Sequence, residues 1–196
     1  MERFASPNRE VAEDVYFGQI VIIWARWFVI LAAAVLALWS SDDTSELGKR
    51  ALLVVVLMSV NFFLHGRSIS GRPANMALLL ATSLIDLAVV GAMVAFWSGG
   101  GIESELYVLY YPLVFAFALV FPQRITAIYG LLALGTYAAI CILSDTGVLT
   151  NSTDAKALAM RVITIAATAA LGAYYWRIQR QRRRMAGEAF PVHQAH

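Results

Sequence analysis

The sequence predicts an all-α, polytopic membrane protein: six transmembrane helices joined by short loops. Three observations carry this expectation. First, 60% of the 196 residues are hydrophobic and only 14% are charged, against roughly 45–50% and about 25% in soluble domains. That is too little charge to coat a water-facing surface. Second, the apolar residues fall in continuous runs rather than in strict alternation, and in lipid only a helix satisfies its own backbone within such a run. Third, Lys and Arg are distributed with a strong bias between alternate connections. The composition excludes a soluble enzyme domain and a disordered chain. The single cysteine, Cys141, excludes a disulfide-stapled domain.

Residues 1–19 are expected to form a cytoplasmic or interfacial segment. Glu2, Arg3, Arg9, Glu10, Glu13 and Asp14 precede the first apolar run, which is not the layout of a signal peptide. Val15, Ile20, Ile22 and Ile23 suit a stretch lying along the membrane surface. The six-helix bundle occupies residues 20–176. A span needs about 20 apolar residues, because the hydrocarbon core is ~30 Å thick. The expected spans are 20–39, 51–64, 76–97, 106–121, 125–143 and 157–176. The second and fourth are short and must borrow flanking residues. The connections around 66–75 and 122–124 are too short for anything but antiparallel neighbours. Residues 177–196 read as a basic cytoplasmic tail.

Six spans place both termini on one side. That side holds Arg3, Arg9, Arg67, Arg72, Arg124, Arg177, Arg180, Arg182, Arg183 and Arg184, ten basic residues, against three (Lys49, Arg50 and Lys156) on the other. The bias points to cytoplasmic termini in a bacterial inner membrane.

Few polar residues interrupt the spans. Asp86 lies mid-way along the third, where a carboxylate costs roughly 2.5–3.5 kcal/mol to insert. It reads as a proton or ligand site, or as an interhelical hydrogen bond or a partner for Arg161. Arg161, one turn inside the sixth span, is expected either to snorkel or to reach Asp86. Arg26 sits between Trp24 and Trp27, which favours snorkelling to the interface. Asn61 reads as helix–helix glue. The spacings Thr164, Thr168, Gly172 and Gly135, Ala139 suit close helix packing.

The sequence offers little for catalysis. No pair of histidines sits within the spans for a haem. No Cys/His cluster has metal spacing. No phosphate-binding loop or nucleophile motif appears. A non-enzyme without a metal site is therefore expected, and nothing suggests a nucleic-acid partner. The most distinctive stretch connects the third and fourth spans: Trp97, then Gly99, Gly100, Gly101, Ile102, Glu103, Ser104, Glu105 and Leu106, followed by Tyr107, Tyr110, Tyr111 and Pro112. Taken alone it is a glycine turn with interfacial aromatic anchors.

Six helices, an Arg26–Trp27 pair opening the first, and Gly-Gly-Ile-Glu-Ser at 100–104 before an aromatic fourth helix resemble the membrane input domains of bacterial sensor histidine kinases. The nearest likeness is to the redox-responsive RegB/PrrB type, over about residues 15–185. In that group a Gly-Gly-x-x-Asn-Pro-Phe loop is implicated in quinone sensing. Gly100 and Gly101 match it, whereas Ser104, Glu105 and Leu106 replace Asn, Pro and Phe. The resemblance implies a quinone, or another small apolar ligand, near Trp97, Gly100, Gly101, Ser104 and Tyr110. Past the sixth span the sequence carries a basic run, 177–184, and no His-Glu-x-x-x-Pro box, so it reads as a sensor bundle without a transmitter. Arg177, Arg180 and Arg184 are expected to contact anionic lipid, at roughly 1 kcal/mol each, or an acidic protein partner. Two functions are therefore expected. One is a non-catalytic sensor acting through a signalling partner. The alternative is a structural accessory subunit of a larger complex of photosynthetic or respiratory energy conversion. A small transporter built on Asp86 is a weaker third.

Overall fold

A computed structural model describes residues 7–39, 44–70, 74–97 and 100–188, and these are helical almost throughout, with no strand among them. Helix α1 covers Pro7–Trp39, α2 Thr44–Ile69, α3 Met76–Phe96, α4 Tyr110–Val120, α5 Gln123–Ser144 and α6 Ser152–Glu188. Two 3₁₀ segments, Gly101–Glu103 and Glu105–Leu109, precede α4.

Five helices are long and apolar enough to cross a bilayer, with apolar windows at Gln19–Leu36, Arg50–Ile69, Met76–Phe96, Gln123–Ser144 and Ser152–Gln179. The fourth expected span differs. Its apolar stretch, Glu105–Val120, is shorter than the others and opens with 3₁₀ turns before becoming α-helical. Helix α1 begins at Pro7, a residue well suited to a first helical position, so residues 7–19 run unbroken into the first span. Helix α6 likewise continues to Glu188, so residues 177–188 of the basic tail are helical. The expected features in 1–6 and 189–196 lie outside the described residues.

Local chemistry sets the helix boundaries. The side chain of Asn75 accepts a hydrogen bond from the Leu78 amide at 2.8 Å and starts α3. Asn151 does the same for α6. Its side-chain oxygen accepts from the Thr153 amide at 3.1 Å, and its side-chain amide donates to Asp154 at 2.6 Å. Pro122 opens α5 by separating it from α4 with a two-residue break.

Helix α4 is central and touches α1, α3, α5 and α6. Its buried face carries Tyr110, Leu113, Val114 and Phe117. The Phe117 ring stacks on Phe121 at 4.0 Å and on Tyr129 at 3.7 Å between centroids. The outward faces are apolar too: Trp24, Phe28, Leu52, Ile128, Leu131 and Leu171 are exposed, which suits a lipid solvent. Of the small residues, Gly172 makes the closest approach. A Cβ built there would lie 2.6 Å from the Ala118 Cβ, so α4 and α6 approach too closely to admit a side chain at 172. Gly135 has nothing within 4 Å of such a Cβ, and Ala139 faces outward. The expected α5 packing stripe is therefore not used within the chain.

One end of the bundle is latched by Gln19, which is fully buried. Its side-chain amide donates to the Leu64 carbonyl at 2.9 Å, and its side-chain oxygen accepts from the Ala74 amide at 2.8 Å. Gln19→Leu is expected to cost about 1–3 kcal/mol, because the Ala74 N–H loses its acceptor. The check is thermal unfolding in lipid nanodiscs together with amide exchange at Ala74, which should accelerate.

Candidate functional site

Two polar centres lie inside the apolar bundle. The deeper one joins α1 to α3. Arg26 Nε donates to Asp86 Oδ2 at 2.6 Å, and each side chain is only 3% exposed. Arg26 therefore turns inward and does not snorkel. Asp86 takes Arg26, and not Arg161, as its partner. The reason is depth. Asp86 lies ten residues from both Met76 and Phe96 at the ends of α3, and Arg26 lies seven residues, about 10 Å, along α1 from the Gln19 latch. Neither charge is near an interface, and a charge so placed needs a partner within the protein. A cavity lies against the pair, lined by Ile22, Ala25, Val29, Leu57, Ser83, Leu113 and Phe117. Asn61 lies nearby as interhelical glue, its amide donating to the Ile23 carbonyl at 3.3 Å.

The second centre is the connection between α3 and α4. Gly100 and Gly101 have positive φ, 72° and 55°, a region that only glycine occupies without cost. Gly101 also packs against α5: a Cβ there would sit 2.8 Å from the Ser144 Cβ and 3.3 Å from the Cys141 Cα. Ser104 is fully buried, and its hydroxyl accepts from the Leu106 amide at 3.3 Å, starting the second 3₁₀ segment. Trp97 is 2% exposed, with the Arg50 guanidinium 5.3 Å from its ring centre. Tyr110 is fully buried edge-on to Tyr137 at 5.5 Å. All five expected ligand residues thus gather at one end of the bundle, as structural packing. Gly100 is half-buried and the other four are buried.

Arg161 closes this centre from α6. One guanidinium nitrogen donates to the Ile102 carbonyl at 2.7 Å and to the Tyr137 hydroxyl at 3.1 Å. The guanidinium also lies 3.9 Å from the Tyr107 ring centre, a cation–π distance. Tyr107 meets Tyr111 edge-to-face at 6.0 Å, and both rings are half-buried. Arg161→Met is expected to cost about 1–2 kcal/mol through loss of these hydrogen bonds. It should also speed amide exchange at Glu103 and Ser104, and exchange at the wild-type rate would show that Arg161 does not hold the loop.

Ser144 and Cys141 fill the space against Gly101 on the α5 side of the loop. At the rim of this centre Tyr107 and Tyr111 present half-buried rings beside Arg161. Arg177 is exposed on the α6 extension, whereas the side chains of Arg180 and Arg184 lie outside the described residues. The sequence reading missed Arg26 as the partner of Asp86, along with Arg50, Tyr137 and Gln19. A usable signal existed for the first: a mid-span carboxylate needs a cation at its own depth.

Comparison of the chain with family models, with curated proteins and with solved structures finds no match.

Proposed function

We propose that this protein is a non-catalytic sensor of the bacterial inner membrane, in which a small flat apolar ligand at the α3–α4 connection is read out through α6. The observation that carries this reading is the clamp of Arg161 on the Ile102 carbonyl. Arg161 belongs to the same unbroken helix as the basic residue Arg177, sixteen residues and about 24 Å away. A ligand that shifts the loop pulls on α6 directly. The basic extension of α6 then meets anionic lipid or an acidic signalling partner. A quinone is the ligand class that the resemblance implies, and Tyr107, Tyr111 and Arg161 offer it two aromatic faces and a cation.

Six crossings with both termini in the cytoplasm are part of this reading. Gly101 packs against the end of α5 at Ser144, and Phe121 leads through Pro122 into its beginning. In this reading the segment before α5 covers the same depth as that 22-residue helix. Glu105–Val120, five residues of 3₁₀ and eleven of α-helix, extends about 26 Å, and the flanking Gly101–Ser104 and Phe121 would have to supply the rest of a ~30 Å crossing.

The test is thermal unfolding of the protein in nanodiscs with a short-chain ubiquinone added. A ligand at 100 times its Kd adds about 2.7 kcal/mol to the native state, read as a rise in Tm. The rise should vanish in Tyr107→Leu. No rise in the wild-type protein, or one unchanged in Tyr107→Leu, overturns the reading. The accessory-subunit alternative is favoured by one observation: only 17% of the apolar window of α6 is buried within the chain. Stoichiometric co-purification with a large membrane complex, without any ubiquinone response, would establish it instead.

A further inference from the structure

We infer that the cavity beside Arg26 and Asp86 is a binding site for a single water molecule, which bridges the ion pair inside the membrane. The ion pair is only partly satisfied by its own contact. Arg26 Nε and Asp86 Oδ2 bond to each other, but Arg26 Nη1, Arg26 Nη2 and Asp86 Oδ1 are buried without a hydrogen-bond partner. Both residues are more than nine-tenths buried. Three buried polar atoms of complementary kind are therefore left over at the pair: two guanidinium nitrogens that donate, and one carboxylate oxygen that accepts. A hydroxylic oxygen answers both, accepting from the guanidinium and donating to the carboxylate.

The size of the site selects the occupant. The cavity offers about 20 Å³ of space for the centre of a water-sized sphere. One water needs roughly 10–15 Å³ by that measure, and two to four polar partners. Both conditions are met for one water at the ion pair. The remaining walls are apolar, from Ile22, Ala25, Val29, Leu57, Leu113 and Phe117, with Ser83 as the third polar residue. The apolar walls offer a water nothing to bond to, so the ion pair supplies its main partners. The site is independent of the ligand rim at Tyr107, which lies at the α3–α4 connection.

Water-edited solid-state NMR on protein with ¹⁵N-labelled arginine, in lipid bilayers, tests this. The Arg26 guanidinium signals are assigned by their loss in Arg26→Lys. In the wild-type protein, magnetisation should pass from water to the Arg26 Nη nitrogens nearly as fast as to the exposed Arg177. In Ala25→Ile, whose larger side chain enters the cavity, the transfer should slow several-fold while the helical circular dichroism is unchanged. Slow transfer to Arg26 in the wild-type protein would overturn the inference, as would fast transfer that Ala25→Ile leaves untouched. If Ala25→Ile does not fold, Val29→Phe fills the same cavity from the next turn of α1. A guanidinium reached instead from carbon-bound protons of a co-purified molecule would also overturn it, by replacing water with an organic hydroxyl.

Discussion

Replacing Asp86 with leucine is expected to lower the unfolding free energy by about 3–5 kcal/mol, the usual cost of removing one partner from a buried ion pair. The arginine that remains cannot lose its charge. It would be left 3% exposed, near the middle of the apolar window of α1, with Ile22, Val29 and Leu57 around it. The double replacement Arg26→Met with Asp86→Leu should be more stable than Asp86→Leu alone, because it removes the stranded charge together with the cost of desolvating it. Unfolding by sodium dodecyl sulfate in mixed micelles, run as a double-mutant cycle, measures the coupling. Additive losses, with the double variant as damaged as both singles combined, would show that Arg26 and Asp86 do not act as one unit.

Gly172→Leu is expected to be the most damaging change among the small residues. Even the first carbon of a side chain at 172 would lie 2.6 Å from the Ala118 Cβ and 3.4 Å from the Phe115 carbonyl oxygen. Neither atom is the end of a flexible side chain, so relief requires α4 and α6 to separate as whole helices. Overpacking of this kind costs about 1–3 kcal/mol, and the separation also strains the hold of Arg161 on Ile102. Gly172→Ala should show a smaller loss, with part of it restored by Ala118→Gly. Wild-type stability in Gly172→Leu would mean that α4 and α6 are not packed this closely.

The sequence revealed the helices better than their meetings. Continuous apolar runs placed the spans to within a few residues, because the length of a span is imposed by the bilayer and not by the partner it packs against. The fourth apolar stretch was harder. Its 3₁₀ opening, Glu105–Leu109, has the same apolar content as an α-helix, and hydropathy does not separate the two. The glycines at 100 and 101 were legible as a tight turn, and both adopt positive φ. That Gly101 packs on Ser144 was not legible, since it depends on where α5 ends. Asp86 stood out as a buried carboxylate. Its partner did not, because the tryptophans flanking Arg26 offered a simple interfacial explanation. The contact crosses sixty positions in the sequence, and only the relative depth of α1 and α3 decides between Arg26 and Arg161.

The proposed function requires a chain that crosses the bilayer six times and returns to the side on which it began. Thiol labelling of intact cells with a membrane-impermeant maleimide tests this most directly, with Cys141 as a fully buried background thiol. Single cysteines replace two exposed residues, Glu103 before α4 and Gln181 on the α6 extension. With six crossings the two positions face opposite sides: Glu103→Cys is labelled from outside, and Gln181→Cys only after the membrane is permeabilised. If Glu105–Val120 turned back without crossing, both would face the same side. Labelling of both positions in intact cells would contradict the account.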